Sequence, residues 1–197
     1  MLTFIAACIL LIITPGPGVM STAGFGAAYG FRPGLRYVTG LCLGQLLVIA
    51  MVVSGLAALL LATPGIRTVL LAVSTLYLLY LATKIALAGS RIQFIEASKP
   101  PGIMAGFLLQ PINPKAYVVN TTLFSGFILF PDAYWAEVAI KLVILNIVWI
   151  PIHLAWLWAG VALERLNLPP RTQRLINFGM AAAMLAVVTL AALSALR

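Results

Sequence analysis

The feature that most constrains this chain is Thr14-Pro15-Gly16-Pro17-Gly18, two prolines and two glycines inside a run otherwise apolar from Leu2 to Phe31. Each proline deletes a backbone donor and crowds the preceding turn. A lipid-exposed unpaired carbonyl costs on the order of several kcal/mol, so such a break persists only where protein buries it or where it lines a cavity. The run is too long for one straight span and reads as two half-helices around a functional break. Pro17 is well placed to open the second half. At about 1.5 Å per residue Thr14 lies about 18 Å from Leu2, near the middle of a bilayer core.

A second break stands in the other half of the chain, at Gln110-Pro111-Ile112-Asn113-Pro114-Lys115, inside the apolar segment from Ile103 to Phe130. Paired interruptions at corresponding places in two halves of an apolar chain point to a transporter's substrate site near the midplane. Simple proline kinks are the plainer alternative. Each break, however, holds two prolines, and the second adds an Asn and a Lys.

Composition supports a membrane setting: 63% of residues are hydrophobic and 8% charged, with a mean hydropathy of +1.11. A net charge of +8 would suggest nucleic acid in a soluble chain. Here the basic residues fall between apolar runs and act as topology signals, so the expected partners are the bilayer and a small molecule, with no nucleic acid. No basic region or small-residue cleavage pattern precedes the first break, so no removed signal peptide is expected. Cys8 and Cys42 stand singly, without a CxxC or neighbouring ligands, and read as structural thiols.

Segments at about Leu2–Tyr29, Leu35–Ala62, Thr68–Ala88, Ile103–Phe130, Trp135–Val161 and Leu175–Leu196 predict an all-α polytopic membrane protein. It has six transmembrane helices, the first and fourth broken. The chain is one transporter domain, with a first repeat at 1–89, a polar connection at 90–102 and a second repeat at 103–197. Three spans per half reverse the direction of the second half, so the repeat is inverted. Arg32, Arg36, Arg91, Lys99, Arg165, Arg171 and Arg174 fall in the loops after segments one, three and five. Arg67, Lys141 and Arg197 lie on the other side beside Asp132 and Glu137. The positive-inside rule puts the first set in the cytoplasm and both termini outside. A re-entrant first segment would flip the N-terminus. Lys84 reads as a snorkelling anchor. Glycines four apart at Gly26/Gly30, Gly40/Gly44 and Gly102/Gly106 allow close helix approach, which packing inside one protomer and a homodimer explain equally.

In this topology the half-helices starting near Pro17 and Pro114 both direct free N–H groups toward the middle, which favours a carboxylate. Lys115 adds a full charge where an unpaired lysine is costly. Its alternative is a structural lysine bonded to carbonyls freed by the break. The predicted substrate-binding residues are Thr14, Pro15, Gly16, Pro17, Gly18, Gln45, Gln110, Asn113, Pro114, Lys115, Tyr117, Asn120 and Thr121. Tyr117, Asn120, Thr121 and Phe124 fall on one helical face and would line a polar path. Ser54 and Asn146 are further polar candidates; they and Gln45, each taken alone, read more readily as an interhelical hydrogen bond than as a substrate contact. His153, among Trp149, Trp156 and Trp158, is the candidate proton carrier, because its unperturbed pKa lies near neutrality. It reads equally as a packing residue. Asp132, Glu137 and Glu164 all fall near segment ends, so no carboxylate waits deep in a segment for a cationic side chain.

Thr14-Pro15-Gly16-Pro17, Gly30-Phe31-Arg32-Pro33-Gly34-Leu35, Tyr77-Leu78-Leu79-Tyr80-Leu81 and Asn113-Pro114-Lys115-Ala116 occur in an order and spacing that resemble the lysine and homoserine/threonine exporter (LysE/RhtB) superfamily over essentially the whole chain. The resemblance implies six helices and export of amino acids or close derivatives across the inner membrane of bacteria. The Gln-Pro-Ile-Asn-Pro-Lys context and the aromatic-rich fifth segment look closer to the cysteine and O-acetylserine exporters than to the lysine exporters. The chain departs at Gly18, where many members carry Asn or Asp. The favoured reading is a secondary exporter of small amino acids by alternating access, coupled to protons or to the membrane potential. Alternatives are a thiol-disulfide electron carrier, which needs Cys8 and Cys42 to meet, and a cation exporter of the same superfamily. No nucleotide-binding loop, metal cluster, cofactor signature or activated nucleophile points to an enzyme.

Overall fold

The computed structural model describes residues 1–14, 16–62, 64–87 and 102–166, with residue 100 and scattered positions between 169 and 186. Their elements are all α-helices: α1 (Leu2–Ile13), α2 (Pro17–Tyr29), α3 (Phe31–Val53), α4 (Leu56–Ala62), α5 (Pro64–Leu87), α6 (Ile103–Ile112), α7 (Pro114–Ser125) and α8 (Tyr134–Arg165). Among the described residues α3 and α8 are each long and apolar enough to cross a membrane, as is the bent pair of α1 and α2; α6 is a shorter apolar helix. The described residues are thus all-helical, with the candidate spans of a polytopic membrane protein. Pro15, the connection carrying Arg91, Glu96 and Lys99, the Lys84 side chain and most of the expected last span at 175–196 lie outside the described residues.

Both breaks fall where the prolines demand. α1 stops at Thr14, whose hydroxyl bonds back to the Leu10 carbonyl at 2.5 Å, and Pro17 opens α2 at an angle of 53° to α1. Pro114 opens α7 in the same way, after α6 has ended at Ile112. A proline at a first helical position wastes no hydrogen bond, since that N–H has no intrahelical partner.

Phe4 in α1 meets Phe127 with ring centroids 5.6 Å apart and lies under the Lys141 ammonium near the start of α8. At the far end of the pair, Gly26 packs on Leu157 and Val161. From Lys141 to Val161 α8 rises about 30 Å, the thickness of a bilayer core. The first segment therefore runs alongside α8 from near its start to near its end.

Three expectations need correction. The first and second segments are joined by Gly30 alone, whose φ of 78° is easy for glycine, so Arg32 and Arg36 stand in the first turns of α3 and not in a loop. The second segment was expected to continue to Ala62. It stops at Ser54-Gly55, where a second left-handed glycine (φ 78°) turns the chain into the separate α4. Pro64, two residues past that expected end, begins α5.

The third correction concerns Glu137 and Lys141, expected among the solvent-side charges. Both are buried and form an ion pair at 2.5 Å. The Lys141 ammonium also donates to the carbonyls of Phe124 (3.0 Å) and Phe127 at the end of α7. The Glu137 carboxylate accepts the N–H groups of Leu129 (2.8 Å) and Phe130 (2.6 Å). Backbone groups freed where α7 ends are thus satisfied by one charged pair on α8, which makes burial of the pair tolerable.

Close helix contacts run through glycine. A Cβ on Gly40 would sit 1.9 Å from the Ile103 carbonyl oxygen, and one on Gly106 would sit 2.1 Å from that of Tyr37, so α3 and α6 touch backbone to backbone. α2 and α8 do the same, with Gly26 2.4 Å from the Leu157 oxygen and Gly160 2.0 Å from that of Ala23 by the same measure. Packing within the chain therefore accounts for Gly26, Gly40, Gly44 and Gly106, whereas Gly102 faces open space. Around these contacts Phe4, Phe25, Tyr37, Leu41, Leu109 and Trp149 form the core.

Candidate functional site

The two breaks meet. Midway along α8, a cavity of about 50 Å³ is lined by Gly16, Gly18 and Val19 from the first break and by Gln110, Asn113, Lys115 and Ala116 from the second. Gln45 of α3 and Trp149 and His153 of α8 close it, with Leu11, Ile12 and Val119 as its apolar walls. A volume of that size holds a few waters or the polar head of a compact ligand.

Lys115 crosses from one break to the other. Its ammonium donates to the carbonyl of Thr14, a group the proline break leaves without a helical partner. Its methylenes lie where a side chain on residue 16 would be: a Cβ there would come 2.6 Å from Lys115 Cδ and 3.1 Å from Nζ. Gly16 has extended backbone that any residue adopts (φ −164°), so this close approach is what calls for glycine. One carbonyl takes one of the three ammonium hydrogens.

The two helix ends differ, contrary to the expectation that both are open. α7 is satisfied locally: Asn113 Oδ1 accepts from the Lys115 N–H at 3.1 Å, and the Asn113 carbonyl accepts from Ala116 N–H at 3.0 Å. Asn before Pro at a helix start is an N-cap, and Asn113 serves as one. α2 has no side-chain cap, and its second and third residues, Gly18 and Val19, line the cavity. Its first turn is held rigidly by Ser21 and Thr22, whose hydroxyls bond back to the carbonyls of Pro17 (2.5 Å) and Gly18 (2.8 Å). Tyr37 then donates to the Ser21 oxygen at 2.8 Å. The α2 end is thus the positive pole offered to an anion.

His153 is buried, 3% exposed. Its ring stacks on Trp149 with centroids 3.6 Å apart, and Nδ1 lies 2.9 Å from the Trp149 carbonyl. Behind the cavity, Gln45 Nε2 donates to Asn120 Oδ1 at 3.0 Å and Asn120 Nδ2 to the Ala116 carbonyl at 2.7 Å.

Other candidates stand elsewhere. Asn120 is fully buried, one layer behind the cavity. Tyr117 donates to the Pro111 carbonyl at 2.7 Å, satisfying an oxygen that the second break frees. Thr121 is exposed, so the expected face of Tyr117, Asn120, Thr121 and Phe124 is not a continuous lining. Ser54 bonds to the Met51 carbonyl at the end of α3. Asn146 bonds to the Leu142 carbonyl and borders an apolar groove on another face of α8. The two cysteines are free: Cys8 packs in the core, and the sulfur of Cys42 lies 4.0 Å from Asn146 Oδ1. Among the described residues no three His, Cys, Asp or Glu side chains converge on a metal-sized site.

Residues 9–195 match the LysE type translocator family. The chain belongs to that family. It is 33% identical to a cysteine/O-acetylserine efflux protein of Salmonella paratyphi A over 61% of this chain and 62% of that protein, less than two thirds of the relative's length. It is 27% identical to the protein of the same name in Escherichia coli K12 over 80% of each chain. No solved structure matches.

Sequence reasoning about this LysE type translocator passed over the lining residues Leu11, Ile12, Val19, Ala116 and Val119, and with them the aromatic Trp149. Trp149 stands one helical turn before His153, and that spacing was the available signal.

Proposed function

We propose that this translocator is a secondary exporter of small amino acids or their derivatives, of the cysteine and O-acetylserine type. It moves them out of the bacterial cytoplasm by alternating access, at the expense of a proton gradient or the membrane potential. Both termini face outward, with Arg32 and Arg165 at the cytoplasmic end. The substrate carboxylate binds between the Lys115 ammonium and the start of α2.

The observation that carries this reading is the position of Lys115, a cation held across two proline breaks against a cavity that the uncapped end of α2 also faces. An ammonium there is costly without an anion or dipoles around it. The Thr14 carbonyl supplies a dipole, and a carboxylate supplies the charge. The names of the relatives and the small cavity both favour a short side chain. Lys115→Met keeps a similar apolar stem and removes the charge. Cells expressing it should lose resistance to toxic concentrations of cysteine and of amino-acid analogues, and cysteine should no longer raise the melting temperature of the purified protein. Normal expression with wild-type export would reduce Lys115 to a structural tie between the breaks.

A further inference from the structure

The proposed site accounts for a substrate carboxylate and leaves the ammonium group of an amino acid without a partner, since no carboxylate lines the cavity. Two hydrogen-bond chains that end on backbone carbonyls supply one. A carbonyl oxygen only accepts, so His153 Nδ1, 2.9 Å from the Trp149 carbonyl, must carry the hydrogen. In neutral imidazole the other nitrogen, Nε2, is then an acceptor. It lies on the cavity side, 3.5 Å from where a Cβ on Gly18 would stand, and glycine at this position leaves it uncovered. Stacking on Trp149 fixes the ring in that attitude.

The second chain works alike. Asn120 gives its NH2 group to the Ala116 carbonyl, which turns Oδ1 toward Gln45. Gln45 must then present its own NH2 to that oxygen, leaving Oε1 as its remaining acceptor, at a residue that lines the cavity. The side-chain oxygens of Gln110 and Asn113 are already engaged, by the Asn113 amide (3.4 Å) and the Lys115 N–H.

We propose that His153 Nε2 and Gln45 Oε1 form a subsite for the substrate's α-ammonium group, opposite the carboxylate subsite at Lys115. This rests on the exporter reading above and extends it: the ligand carries a free α-amino group, and blocking or removing that group weakens recognition by about tenfold or more. Gly16 under Lys115 and Gly18 before His153 are at most about 7 Å apart along the chain. That is the scale of a carboxylate and an ammonium on one carbon, each with its own hydrogen-bond partner. Charge-assisted bonds of this kind change affinity by about tenfold or more.

The test measures binding of L-cysteine and its des-amino counterpart 3-mercaptopropionate to the purified protein by calorimetry under reducing conditions. Wild type should prefer L-cysteine by about tenfold or more. His153→Phe keeps a stacked ring without nitrogens, so it should lose that preference while binding 3-mercaptopropionate unchanged. His153→Gln places an amide oxygen near the lost nitrogen and should retain most of it. Gly18→Ala covers Nε2 with a methyl group, leaves His153 in place, and should cause the same selective loss should the phenylalanine variant fail to fold. Equal weakening of both ligands in His153→Phe would make the histidine a packing residue, and an undiminished preference would put the ammonium elsewhere; either overturns the proposal. If wild type binds neither ligand, the exporter reading falls and takes this subsite with it. If only Lys115→Met loses both ligands, the carboxylate site stands while the ammonium site fails.

Discussion

Replacing Lys141 by methionine should destabilise the protein more than any change in the cavity. The substitution leaves Glu137 as a buried carboxylate without its cation and strips a donor from the carbonyls of Phe124 and Phe127. Breaking a buried ion pair from one side costs about 3–5 kcal/mol. Glu137 retains two backbone N–H donors, from Leu129 and Phe130, so the lower figure applies, about 3 kcal/mol. For a chain of this size that corresponds to a melting temperature lower by about 6–12 °C. The assay is a thermal melt of the purified protein in detergent, followed by circular dichroism. The double variant Glu137→Gln/Lys141→Met has no buried charge left to strand and should recover at least half of the loss. A single variant melting within about 2 °C of wild type, or a double variant no more stable than the single, would refute the reasoning.

Gly16→Ala places a methyl group 2.6 Å from Lys115 Cδ and drives that side chain off the first break. Export should fall by about tenfold or more while the melting temperature moves by less than about 3 °C, because the extended backbone at position 16 accepts alanine without strain; undiminished export would mean that Lys115 is not needed in its present place. For topology, Asp132→Cys in a background lacking Cys8 and Cys42 should react with an impermeant thiol reagent in intact cells, and Arg32→Cys only after lysis. The reverse pattern would invert the orientation of every described helix.

The breaks were legible because proline acts locally: it forbids a hydrogen bond at a known position whatever surrounds it, and so Pro17 and Pro114 open their half-helices as read. Gly55 carried no such signal, since glycine inside an apolar run is as compatible with packing as with a turn. Asn113 shows one motif with two meanings. Asn-Pro-Lys is a helix cap as much as a ligand set, and the cap consumes the N–H that the ligand reading had offered to substrate. Glu137 and Lys141 were readable as a pair four residues apart. Their burial depends on residues 126–133 folding back over them, which no local pattern encodes. Gln45 and His153 reach the cavity only because α3 and α8 pack around both breaks, a tertiary fact.

The glycine contacts carry a mechanical consequence. α3 and α6 are locked so closely that neither Gly40 nor Gly106 has room for a methyl group, and α2 and α8 are locked likewise at Gly26 and Gly160. Each locked pair takes one helix from the chain before residue 90 and one from the chain after it. Neither half of the sequence is therefore free to swing as a unit against the other, because that would tear both joints at once. Any sliding surface has to pass between the two pairs, with Gln45 on the α3 side and His153 on the α8 side. The cavity lies on that seam, so a motion that parts the pairs is also one that pulls apart the walls of the cavity.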